Sequence, residues 1–123
     1  MKSLVLLITM CFTTFSFASE VNFEEWKPFT KLGEIELEAR VGSVNDKVIV
    51  KEVRARNYFA QEMCILSKIK YPRNTESTFV NGGKVIVEAG AEIFLGGYKA
   101  INPKKAWRTK WEFRATKNLK RCE

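Results

Sequence analysis

Three sets of side chains in this sequence of 123 residues are of types that do chemistry. Glu34, Glu36 and Glu38 recur at every second position, and Lys99, Lys104, Lys105, Arg108, Lys110, Arg114, Lys117, Lys120 and Arg121 crowd the end of the chain around Trp107, Trp111 and Phe113. Cys64 and Cys122 form the third set. Two carboxyl groups at a fixed separation are what glycoside hydrolysis requires. Clustered cations beside aromatic rings suit an anionic polymer, through charge attraction and stacking. Two thiols outside the cytoplasm suit a bridge.

The carboxylates argue against catalysis. Their period of two puts all three on one solvated strand face, which lacks the burial that equips a carboxyl for general-acid work at neutral pH. The sequence contains no histidine. That removes the commonest general base, the usual partner of a nucleophilic serine or cysteine, and the commonest metal ligand. Its single aspartate, Asp46, falls in a turn signal. Gly82-Gly83 and Gly96-Gly97 lack the following helix and lysine of a phosphate-binding loop. Two thiolates without histidine would need carboxylates to complete a tetrahedral zinc site. The expectation is a non-enzymatic chain with no cofactor and no metal.

The amino terminus sets the compartment. Lys2, an apolar run from Leu4 and small residues at Ser16 and Ala18 predict a cleaved secretory signal peptide over residues 1–18. Two rivals fare worse. Lipidation at Cys11 meets Met10 where a small residue belongs, and an apolar stretch of about 15 residues is short of the roughly 20 that cross a bilayer. The mature chain would begin at Ser19 and work in the periplasm or outside the cell. Cys11 leaves with the leader, so Cys64 and Cys122 remain to pair across a loop of about 59 residues, constraining the unfolded chain by about 4 kcal/mol. The alternative is two free thiols, Cys64 buried and Cys122 in the tail.

The elements that must position these groups read as strands. Apolar and polar residues alternate over short segments divided by turn formers, which predicts one all-β domain over 34–123. The segments are Glu34 to Val41, Lys47 to Asn57, Phe59 to Lys70, a hairpin of Thr78–Val80 and Val85–Val87 around Asn81-Gly82-Gly83, Glu92 to Tyr98, and a last strand from Trp107. Gly96-Gly97 signals a bulge or a close backbone approach. About seven such strands predict a two-layer antiparallel sandwich, immunoglobulin-like in architecture, with a small β-barrel as the alternative. Residues 19–33 form an extended aromatic segment in which Phe23, Trp26, Phe29 and Leu32 recur every third residue. That ribbon either covers an edge of the core or offers Trp26 and Phe29 to a partner.

Charge is distributed unevenly. Beyond residue 18 the chain holds 20 basic and 14 acidic residues; residues 19–98 carry a net charge of −1 and residues 99–123 a net +7. In the last strand, alternation sets Trp107, Trp111 and Phe113 opposite Arg108, Lys110 and Arg114. If that strand lies beside the first, Glu34, Glu36 and Glu38 would pair with those three cations, each pair contributing about 0.2–1 kcal/mol. Lys104, Lys105, Lys117, Lys120 and Arg121 would then remain as the anionic-ligand candidates. The functional expectation is an exported binding or assembly module of the cell envelope, engaging a protein partner through a sheet edge or loops. The alternatives are an anionic glycan or lipopolysaccharide ligand, nucleic acid being disfavoured by the leader, and an inhibitor or immunity role against a secreted enzyme.

Overall fold

The computed structural model describes residues 20–123; the signal peptide expected over residues 1–18, Cys11 within it, and Ser19 lie outside the described residues. The strands are β1 (Asn22–Phe23), β2 (Lys27–Leu32), β3 (Ile35–Val44), β4 (Lys47–Asn57), β5 (Met63–Arg73), β6 (Thr75–Ser77), β7 (Lys84–Val87), β8 (Glu92–Ala100) and β9 (Arg108–Thr116). Six make one antiparallel sheet in the order β1-β3-β4-β8-β6, with β2 also paired to β3; the other three make a second sheet, β7-β5-β9. The chain is a small all-β sandwich.

Alternation explains which side faces in. Ile35 and Leu37 of β3 and Val53 and Ala55 of β4 are fully buried, while Glu36, Glu38, Arg40 and Arg54 between them face outward. Leu95 from β8 joins them against Met63, Ile65, Val85 and Val87 of the smaller sheet. Rings extend this core along one side: Trp111 lies 5.0 Å from Tyr98 and 5.5 Å from Phe113, which in turn lies 5.7 Å from Phe79.

Turn chemistry sets the hairpins. Asn45 and Asp46 join β3 to β4 with φ of 51° and 63°, the left-handed pair that a two-residue hairpin of matching twist requires. Leu32 faces Ile35 across Gly33 and Glu34, so Glu34 belongs to a turn and β3 runs on to Val44. Gly96-Gly97 meets both expectations. Leu95 bulges where the β4–β8 register shifts, and a Cβ on Gly97 would lie 1.9 Å from the Lys51 carbonyl oxygen.

Two expected elements differ. β5 begins at Met63, because Asn57 is completely buried and its side chain organises residues 57–61 as a loop: Nδ2 donates to the carbonyls of Gln61 (2.9 Å) and Val87 (3.1 Å), and Oδ1 accepts from the Phe59 N–H (2.8 Å). The hairpin expected around Asn81-Gly82-Gly83 does not form. Asn81 and Gly82 do take left-handed angles, but residues 80–83 make a short 3-10 turn. Thr75–Ser77 stays with β8 while Lys84–Val87 crosses to β5, so this turn joins two sheets rather than two neighbours. Phe79 leaves the strand to bury itself against Phe113.

The N-terminal segment is also stranded. β1 and β2 both lie along β3, with a register shift between Pro28 and Thr30. Phe23 and Trp26 rest on the outer face of the larger sheet, while Phe29 and Leu32 turn toward the core side. A period of three thus records a ribbon that changes sides.

Candidate functional site

The outer face of the larger sheet is electrically closed. Glu38 stands opposite Arg54 with a carboxylate oxygen 2.8 Å from Nε, and Arg40 stands opposite Glu52 at 2.8 Å. Arg56 reaches Glu92 at 2.8 Å, Arg54 shares that carboxylate at 3.4 Å, and Lys99 meets Glu76 at 3.2 Å. Trp26 lies beneath the guanidinium groups of Arg40 and Arg54, 4.5 and 4.7 Å from its ring centre. Of the acidic stripe, Glu38 is thus paired by Arg54 and Glu36 faces Arg56 across the ladder, while Glu34 lies in the turn before β3. The expected pairing of Glu34, Glu36 and Glu38 with Arg108, Lys110 and Arg114 does not occur, because β9 lies in the other sheet.

With β9 in the other sheet, the outer face of the smaller sheet is unbalanced. In the β5–β9 ladder Leu66 faces Arg114, Lys68 faces Glu112, Lys70 faces Lys110 and Arg73 faces Arg108. Residues directly opposite share a face. Lys84 of β7 joins it beside Leu66, and Arg121 of the tail stands nearby. Eight cations thus confront Glu112 on β9 and Glu123 at the end of the tail. Two of the cross-strand pairs are like-charged, which costs the fold stability.

Glu112 organises the centre of this face. It bonds Lys70 and stands 3.8 Å from Lys68 and 3.3 Å from Arg114. The Lys70 hydrogen bond, aided by the neighbouring positive charges, holds its carboxyl below the usual range against a smaller effect of burial. It stays ionised and draws three flexible cations toward one point.

The residues singled out in the sequence do not assemble into one patch. Lys104 and Lys105 lie in the loop before β9, fastened by Asn74, whose Nδ2 donates to the Asn102 carbonyl at 2.7 Å. Lys117, Lys120 and Arg121 lie after β9. Nine extended residues separate the two groups, a distance of roughly 30 Å. Lys68, Lys70, Arg73 and Lys84 complete the face and were missed. Their signal was the alternation of Lys68 and Lys70 in β5, which gains meaning only once β9 is its neighbour.

Cys64 and Cys122 are joined, with Cα atoms 5.8 Å apart. The bridge fastens the 3-10 turn Leu119–Cys122 onto β5, and Asn118 Oδ1 accepts from the Lys120 N–H at 3.2 Å to cap it. Trp26 is half-buried in the arginine stack and meets Phe94 edge-on at 6.4 Å. Phe29 keeps 40% of its surface exposed while packing 5.1 Å from Trp111. Trp107 is half-buried against Tyr98. Burial pushes the Tyr98 phenol above its usual range.

Among the described residues no three metal-ligating side chains stand together, and no helix is long and apolar enough to cross a membrane. The molecule is thus a disulfide-linked β-sandwich with one neutral and one basic outer face. Comparison with family models, with curated proteins and with solved structures found no match.

Proposed function

We propose that this chain is an exported, non-enzymatic binding module whose β5–β9 face holds an anionic polymer, either an acidic glycan or lipopolysaccharide. The observation that carries this reading is the placement of Lys70 opposite Lys110 and of Arg73 opposite Arg108. Like charges opposed on a strand pair weaken the fold. A surface kept at that cost gains its value from a ligand that neutralises it. Side chains on one strand face recur about every 7 Å, a ladder suited to a linear polyanion. The leader read from residues 1–18 and the Cys64–Cys122 bridge support an extracytoplasmic setting, which favours a glycan over nucleic acid.

Strand addition by a protein partner has a specific support too, since the smaller sheet ends on β9, an edge of nine residues. Arg108, Lys110 and Arg114 along that edge oppose pairing with most strands. The polyanion reading therefore stands first. It is tested by titrating heparin into the mature protein across a series of salt concentrations. Log affinity is expected to fall linearly with log salt, with a slope of roughly −4 to −6 if most of these cations engage. An affinity that does not change with salt would sink the reading.

A further inference from the structure

The basic face is not flat. Where β5, β7, β9 and the tail converge, a concavity of about 290 Å³ opens, and four of its lining side chains are cationic: Lys68, Lys84, Arg114 and Arg121. They come from four separate parts of the chain. Leu66 stands opposite Lys84 on one side and opposite Arg114 on the other, so the three share one row. Two strand spacings put the two cationic Cα atoms about 10 Å apart, a gap that long side chains close around a single small anion.

Three features hold this hollow in shape. Gly83 brings bare backbone onto β5, where a Cβ would lie 2.0 Å from the Ser67 carbonyl oxygen. Lys84 Nζ donates to the Glu123 main-chain oxygen at 3.4 Å, which draws the tail to β7. The Cys64–Cys122 bridge then fixes the residue next to Arg121. Arg121 thus reaches the hollow by covalent attachment. Glu112 also lines it and lies 3.3 Å from Arg114. An arginine has five donors, enough to serve Glu112 and an entering oxyanion together.

We propose that this concavity is a discrete subsite for one oxyanion group, sulfate or phosphate, carried by the saccharide ligand, and that Arg121 completes it. The proposal rests on the polyanion reading and sharpens it. A uniform face would treat its cations alike, whereas a subsite ranks them. Bidentate recognition by guanidinium groups is what a tetrahedral oxyanion selects.

The test measures, by calorimetry at one salt concentration, binding of a heparin-derived tetrasaccharide and of deacylated lipopolysaccharide to the mature protein. Arg121→Gln is compared with Lys110→Gln, which removes the same charge from the same face but does not line the hollow. Arg121→Gln is expected to weaken binding by about ten-fold or more, the value of a charge-assisted hydrogen bond. Lys110→Gln is expected to cost about two-fold, as one screened surface charge. Arg121→Lys should recover only part of the loss, since an ammonium lacks the fork. Tighter binding of the tetrasaccharide identifies a sulfate, and of the lipopolysaccharide fragment a phosphate; either supports the subsite. Equal losses for Arg121→Gln and Lys110→Gln would overturn the subsite while leaving the basic face standing. Failure of the unaltered protein to bind either probe would remove the underlying reading as well.

Discussion

Glu38 and Arg54 face each other across the β3–β4 ladder with carboxylate and Nε 2.8 Å apart. Their side chains are only 19% and 28% exposed, and the same guanidinium reaches Glu92 and covers Trp26. The pair balances charge within the larger sheet, while the cations of β5 and β9, in the other sheet, face Glu112 across their own ladder.

Arg54 is thereby the keystone of its face, and Arg54→Ala is expected to lower stability by about 1–2 kcal/mol in urea unfolding through loss of two ion pairs and a cation–π contact. Lys27→Ala, which removes a side chain that is 73% exposed and whose ammonium lies 3.9 Å from Glu24, should change stability by less than about 0.5 kcal/mol. Equal effects would mean that the stacked network contributes nothing beyond ordinary surface charge.

Loss of the bridge should be felt mainly through the unfolded chain. Cys64 and Cys122 are 58 positions apart, so replacing both with serine is expected to cost about 4 kcal/mol. The check is the shift in urea midpoint, with free-thiol titration of the unaltered protein beginning at Ser19, which lacks Cys11, reading zero.

Asn57 holds a loop from inside the core. Asn57→Ala would leave the Phe59 N–H and the Gln61 and Val87 carbonyls without their buried partner. The expected cost is about 2–4 kcal/mol. Asn57→Asp should not rescue it, because a carboxylate cannot donate to the two carbonyls. Thermal unfolding of the three proteins side by side distinguishes these outcomes.

Glu112 gives the fold a pH signature. Its carboxyl is held below the usual range, first by the Lys70 hydrogen bond. A group with a depressed folded pKa stabilises fully above its unfolded pKa and loses that contribution as pH falls through the folded value. Stability should therefore drop as pH is lowered beneath about 4.3, the ordinary glutamate value. Glu112→Gln should flatten that part of the curve, and an unchanged profile would refute the role of Lys70. The same variant removes a negative charge from the basic face, so its affinity for heparin at neutral pH should rise.

Much of this molecule was legible residue by residue. Within a strand, successive side chains point to opposite faces by covalent geometry, so Trp111 and Phe113 against Arg108, Lys110 and Arg114 could be separated before any contact was known. The close approach at Gly96-Gly97 and the joining of Cys64 to Cys122 were legible for similar reasons: missing side chains and paired sulfurs leave marks in a sequence. Strand partnership left no such mark. Asn81-Gly82 has the local angles of a hairpin, yet the strands on either side part company, because burying Phe79 and pairing β7 with β5 satisfy more of the core than a local ribbon would. Likewise the neighbour of β9 is β5, and that choice alone brings Lys68, Lys70 and Arg73 beside Lys110 and Arg108. Periodicity is a property of adjacent residues, and the sequence contains it. Which ribbon lies beside which is settled by the free energy of the whole packed interior, and only the tertiary structure could assign the charges to a common surface.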